Sequence, residues 1–502
     1  MLYLHDNDLF WIKNQGNPGL FEKERKNMQY FYDLKLYTTK LFCYNRSNEK
    51  NDRKDREREN IMSEKTNRNG SFSSSLGFVI ACVGSAVGLG NIWLFPYRVG
   101  QYGGAAFLIP YFLFVFLFGW VGLSAEFAIG RLAQTGTLGS YTYCFNNRGK
   151  GKVGGALGWI PLMGSLGIAI GYAIILGWVL RSLAGSVTGT LLNTDPAEYF
   201  SQATGALGSV PWHISIILIV CLVLIFGVTG GIEKASKVMM PIFYVLFLML
   251  AAWVAFLPGA SEGYKFLMVP RWEALLNIET WVMAMGQAFF SLSITGSGMI
   301  VYGAYLEKKE DIPAASLRTA LFDTLAALLS AVAIIPAVFA FGLDVSSGPP
   351  LMFITLPNVF QKMPMGRLFA IFFFLSVVFA GLTSLINMFE AVIESWQNRF
   401  GCKRNLAIAL CGGITMAVGI FLEAEPKVGS WMDFITIVIV PIGAVLGAIS
   451  VYYVLGWDKI RAELEQGHGR PLNGAFRITA KYIYVPLTVI ILILGLALGG
   501  IG

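Results

Sequence analysis

Charge is what this chain has least of. Lysine, arginine, aspartate and glutamate together make up 14% of its 502 residues, against about a quarter in a soluble globular domain. Histidine is rarer still: His5, His213 and His468 lie far apart and make no obvious metal or catalytic set. The six cysteines (Cys43, Cys82, Cys144, Cys221, Cys402, Cys411) show no CxxC or metal-ligand spacing, which argues against a disulfide framework or a zinc site. With no nucleophile–base set either, an enzyme has little to work with. The formal charge of +7 is no nucleic-acid signal, because the basic residues follow the pattern of a membrane protein.

What is present is hydrocarbon. The chain is 55% hydrophobic, and apolar runs of about 20 residues, enough to cross a bilayer, recur from residue 76 onward. Eleven spans are read: 76–99, 104–130, 156–184, 212–230, 236–257, 278–306, 315–342, 367–397, 405–422, 431–456 and 480–501. The loops and span ends on one side hold 17 lysines and arginines, among them Arg148, Lys150, Lys152, Lys308, Lys309, Lys403 and Arg404; those on the other hold 7, and the loop 185–211 holds none. That asymmetry places the N-terminus in the cytoplasm and the C-terminus outside, which agrees with an odd number of spans.

Residues 1–70 differ, with 14 basic and 11 acidic residues and no span. They read as a cytoplasmic N-terminal extension expected to be disordered, most clearly over the charged stretch 46–60, ahead of a membrane-spanning domain at 71–502. Met62 opens a short polar leader into the first span. Either Met62 is the true start and 1–61 is upstream sequence, or the extension is real; a peptide from 1–61 in mass spectra of the native protein decides for the second.

Two spans contain segments that helix propensity cannot explain. Residues 84–91 (GSAVGLGN) put three glycines in the middle of span one, each costing roughly 1 kcal/mol against alanine. Residues 291–298 (SLSITGSG) put two more glycines in the middle of span six. Irregular backbone at membrane depth is tolerated where it lines a cavity or is buried in protein. Interrupted segments five spans apart point to two inverted five-helix halves with a binding site at the breaks: 72–257, then 278–456, with 480–501 as an extra helix. The fold class expected is an all-α polytopic membrane protein.

The motifs GSAVGLGNIW followed by FPY, GGAAFLIPY, EFAIGR, GIEKASKVMMP, GQAFFSLS, IPAVFAFG and FAGLTS stand in order from about residue 72 to 500. They resemble the neurotransmitter:sodium symporter family, in the short eleven-helix form of prokaryotic amino-acid transporters. The resemblance implies a substrate carboxylate met by the Leu89 and Gly90 N–H groups and the Tyr172 hydroxyl. It implies an ammonium met by the carbonyls of Ala86, Phe290 and Ser291 with the Ser293 hydroxyl. Side-chain specificity falls to Ile168, Phe290, Gly296, Ser384 and Met388. Gly296 stands where relatives carry a large residue, so a pocket opened there suits a large apolar or aromatic amino acid.

Two sodium sites are implied, built of oxygens as hard cations require. The first comprises the Ala86 carbonyl, Asn91, Ser291 and Asp323; the second the Gly84, Val87 and Ala380 carbonyls with the Thr383 and Ser384 hydroxyls. A carboxylate inside a span is costly and marks function, so Asp323 is expected to supply the negative charge that makes chloride unnecessary. Glu126 is expected to anchor a broken helix, Phe289 to be plain core, and Gly231 with Pro241 matches a motif linked to unwinding of span five. Leu94 replaces the usual outer-gate arginine, although Asp433 survives, and Arg98 one turn on is a candidate substitute. Phe72 and Asn398 replace a tryptophan and an aspartate at the inner gate. The reading is a sodium-coupled amino-acid symporter of the plasma membrane with a lipid bilayer and an amino acid as partners; an amino-acid-sensing receptor or a channel on the same scaffold is the alternative.

Overall fold

The structure is a computed structural model, and it describes residues 2–5, 8–11, 70–345 and 350–501. The chain divides into two units, 1–68 and 69–502. In the first, strand β1 (Leu2–His5) pairs antiparallel with β2 (Asp8–Trp11). The stretch 46–60 and Met62 lie outside the described residues.

The second unit is helical throughout its described residues. Among the described residues, eight helices are long and apolar enough to cross a membrane: Ala105–Ala133, Gly151–Thr188, Val228–Val254, Ile312–Ala340, Gly366–Phe400, Arg404–Leu422, Glu425–Leu455 and Gly474–Leu498. They correspond to spans two, three, five and seven to eleven. Span one is a bent pair, Ser75–Ala86 and Gly90–Gln101, whose axes differ by 59°. Span four is shorter, Val210–Ile225, and span six is split into Ile278–Ser291 and Gly298–Ala304.

The ends follow local chemistry. The Ser74 side chain accepts from Gly77 N at 3.1 Å and so caps span one. Asp311 does the same for span seven, accepting from Ala314 N at 3.0 Å with Pro313 in the first turn, where a missing N–H costs nothing. Such caps contribute about 1 kcal/mol each. Span four ends earlier than the hydropathy implies. Gly227 takes φ +74°, a conformation open to glycine at little cost, and the chain turns there into span five. Span five is wound from Val228 to Val254, with a π-helical first turn at Val228–Glu233.

Hydrocarbon faces outward, as at Leu218, Leu222 and Phe256, while polar groups turn inward. Asn91, Glu126, Gln287, Asp323 and Glu390 are all buried. Spans four and nine share a buried pair in which His213 Nδ1 stands 2.9 Å from Glu423 Oε1. Span three packs along span eight, and the first half of span one packs on spans five, seven and eight. That packing places the break in span one at the centre of the unit.

Candidate functional site

The helix of span one stops because its ladder runs out of partners. Val87 N still donates to Val83 O at 2.7 Å, after which Val87 turns extended, at ψ 116°. Winding resumes with Asn91 N and Ile92 N on the Gly88 carbonyl, at 3.1 and 3.3 Å. Glycine is required by close approach at two positions here. A Cβ on Gly84 would stand 3.0 Å from Thr383 Cβ, and one on Gly88 would stand 2.5 Å from the Tyr172 hydroxyl and 2.9 Å from Ser384 Oγ.

Two sets of oxygens converge on the break. In the first, Asn91 Nδ2 donates to Asp323 Oδ1 at 2.7 Å, to the Asp323 carbonyl at 3.1 Å and to Ser291 Oγ at 3.0 Å. Ser291 Oγ donates to Asp323 Oδ2 at 2.7 Å, and Asn91 Oδ1 accepts from Gly88 N at 3.0 Å. In the second, Ser384 Oγ donates to the carbonyls of Val87, Ala380 and Gly84 at 3.0, 3.2 and 3.3 Å. Thr383 Oγ1 donates to the Ala380 carbonyl at 2.9 Å. Spans one, six and seven thus supply one set and spans one and eight the other. Both sets are built of carbonyl, hydroxyl, amide and carboxylate oxygens, which suit a hard cation better than a soft transition metal.

Between the two sets lies a cavity lined by ten of the residues singled out for the substrate: Ala86, Leu89, Gly90, Ile168, Tyr172, Phe290, Ser291, Ser293, Ser384 and Met388. Leu89 N donates to the Tyr172 hydroxyl at 2.9 Å, so two groups expected on a carboxylate hold each other, and the phenol keeps its own proton to donate. Ser293 takes φ +53° and its hydroxyl donates to the Ser85 carbonyl at 3.3 Å.

Gly296 is a correction. It does not line the cavity. It takes φ +73°, and a Cβ there would stand 2.5 Å from the Gly443 carbonyl and 2.7 Å from the Tyr141 hydroxyl. Its N–H donates to Glu126 Oε1 at 2.8 Å, which turns the glycine away from the substrate side. Glu126 therefore meets the break in span six, as an anchor should. Ser297 Oγ and Thr137 Oγ1, 2.9 Å apart, and Asn387 Nδ2 on the Gly298 carbonyl at 3.1 Å pin the same break.

Several residues around the cavity escaped the sequence reading. Gln287 Nε2 donates to the Gly90 carbonyl at 3.2 Å. Asn387 faces the cavity, as does Phe289, expected as plain core, which also packs edge-on against Phe118. The buried Tyr111 hydroxyl stands beside Ser291 and Thr324. A polar side chain inside an apolar run was the available signal for Gln287 and Asn387.

The gates depart as their residues foretell, with one correction. Arg98 turns to span six rather than to Asp433: its Nη1 donates to Met283 Sδ at 2.5 Å, and its guanidinium lies 5.8 Å from the Tyr102 ring centroid. At the other end Phe72 packs edge-on against Phe78, Tyr302 and Tyr305. Asn398 donates to Thr135 Oγ1. Glu390, without a role from sequence, accepts from the Tyr305 hydroxyl at 2.5 Å and from Arg404 Nη1 and Nη2 at 2.9 and 2.6 Å.

Residues 69–202 and 195–498 match the sodium:neurotransmitter symporter family. The chain belongs to that family. It is 34% identical over 444 residues to the sodium-dependent transporter YhdH of Bacillus subtilis, covering 85% of this chain and 97% of the relative. The sodium-dependent serotonin transporter of Drosophila melanogaster is 27% identical over 470 residues, with 81% and 73% covered. Among solved structures, MhsT in complex with L-phenylalanine superposes with a TM-score of 0.74 at 32% identity, covering 85% of this chain and 99% of that one. The protein is therefore a sodium-dependent transporter of this family, not an enzyme, and its helical architecture is the family's.

Proposed function

We propose that the protein is a sodium-coupled symporter of large apolar or aromatic amino acids, working by alternating access. The observation that carries this reading is the convergence of two oxygen sets and an enclosed cavity on one break in span one. One sodium ion takes the Ala86 carbonyl, Asn91, Ser291 and Asp323, with the substrate carboxylate as a further ligand. The other takes the Gly84, Val87 and Ala380 carbonyls with Thr383 and Ser384. The hydroxyls that now donate to those carbonyls then turn their lone pairs toward the ion.

The carboxylate is held by Leu89 N, Gly90 N and Tyr172, the ammonium by the carbonyls of Ala86, Phe290 and Ser291 and by Ser293. Because the substrate carboxylate and one sodium share a shell, each tightens the other's binding by the same factor. Asp323 provides the negative charge in place of chloride. The relative crystallised with L-phenylalanine supports the substrate class. Loop charge supports a plasma-membrane orientation with the N-terminus in the cytoplasm.

Binding of labelled phenylalanine to the purified protein across a sodium titration tests the coupling. Affinity should rise steeply with sodium and stay high when gluconate replaces chloride. Equal affinity in sodium and in potassium overturns the reading.

A further inference from the structure

We propose that the substrate's side chain is received in an apolar lobe of the same cavity, built by spans ten and eleven, and that Gly495 sets its depth. This rests on the amino-acid reading above and replaces Gly296 as the source of room for a large side chain.

The cavity does not end at spans one, three, six and eight. Gly286 and Phe290, four residues apart, share one face of the first half of span six. At one end of that face Phe290 lies against Gly90: a Cβ on Gly90 would stand 3.3 Å from its ring. At the other end Gly286 packs on the Ile501 backbone, where no side chain fits. The cavity follows this face. Opposite stand Ile437 and Val440 of span ten, then Ile491 and Gly495 of span eleven. No charged side chain lines any part of it. Spans one, three, six and eight supply most of the polar lining, whereas spans ten and eleven contribute hydrocarbon and glycine apart from Thr436, whose hydroxyl donates to the Met432 carbonyl at 2.9 Å; this suits a zwitterion with a bulky apolar side chain.

Gly495 is the natural point to set the volume. It lies in the regular helix of span eleven without a positive φ. A Cβ built there meets nothing nearer than Ile501 Cγ1 at 3.9 Å and the Ile437 carbonyl at 4.0 Å. A methyl group therefore fits, and the further carbons of a leucine must enter the lobe. A misfit of one or two methylenes in an apolar pocket discriminates about 10- to 200-fold.

The test is sodium-driven uptake of tryptophan and of valine by the wild type, Gly495→Ala, Gly495→Leu and Ile491→Ala in proteoliposomes. The readout is the ratio of the two apparent affinities, which a change in the amount of folded protein does not move. Gly495→Ala should leave the ratio within about threefold, Gly495→Leu should lower the tryptophan preference at least about tenfold, and Ile491→Ala should raise it. A ratio unmoved in Gly495→Leu and in Ile491→Ala, with the wild type transporting both amino acids, overturns the lobe and leaves the transport reading standing. Absence of sodium-driven uptake of every amino acid tested in the wild type overturns the transport reading and the lobe with it.

Discussion

Replacing Asp323 by asparagine removes a formal charge from the cluster at the break while keeping its shape. In the present arrangement each carboxylate oxygen accepts one bond of 2.7 Å, from Asn91 Nδ2 and from Ser291 Oγ. The asparagine amide sets a donor in place of one oxygen. Facing Ser291 it finds a hydroxyl that can turn and accept; facing Asn91 it finds a second donor, and Asn91 can flip only by giving up Gly88 N. The protein should therefore fold with the amide toward Ser291. What is lost is the attraction for a cation. At 4 Å and an effective dielectric constant of 20 this is about 4 kcal/mol as an upper bound, and a hydrogen bond to a charged group sets a floor near 1.5 kcal/mol. At about 1.4 kcal/mol per decade, half-saturation by sodium should rise between about tenfold and a thousandfold. A sodium titration of uptake measures it, run in chloride and in gluconate. Equal sodium affinity in wild type and variant, or wild-type uptake that collapses in gluconate, refutes the assignment of Asp323.

Tyr172→Phe leaves Leu89 N without its acceptor and the substrate carboxylate without a donor, so apparent substrate affinity should fall about 5- to 150-fold, corresponding to about 1–3 kcal/mol, while thermal melting in detergent shifts little. Glu126→Ala should abolish uptake by freeing Gly296 N and the break in span six, and Glu126→Gln, which keeps an acceptor, should retain most of it; equal activity of the two variants contradicts the anchor. His213→Leu strands Glu423 in a buried site at a cost of about 3–5 kcal/mol, which a thermal melt should register, and a second change, Glu423→Leu, should recover most of the loss.

The break in span one was legible because its residues contradict their surroundings. Three glycines within seven residues are costly in a helix interior, and a carboxylate such as Asp323 inside a span is expensive, so both stood out; Thr383 and Ser384 entered only through the resemblance, because hydroxyls in a membrane helix usually bond back to their own helix. Gly296 misled because a sequence carries no sign of φ: at +73°, with its N–H on Glu126, the position faces spans away from the substrate. The lobe on spans ten and eleven was invisible for another reason. Ile437, Ile491 and Ile501 look like any membrane isoleucine, and only the packing of distant segments brings them to Gly286. Hydropathy likewise overran the end of span four, since Phe226 is as apolar as the helix before it and the turn is made by the backbone of Gly227.

Net accumulation separates a coupled transporter from every other use of this scaffold. Proteoliposomes loaded with sodium-free buffer and diluted into sodium gluconate with labelled phenylalanine supply the test. Two ions moving down a tenfold gradient contribute about 2.8 kcal/mol, enough to concentrate substrate about a hundredfold. The account predicts a transient internal concentration well above the external one, abolished by a sodium ionophore and absent when potassium replaces sodium. Uptake that only reaches equilibrium, at the same rate in sodium and potassium, contradicts it.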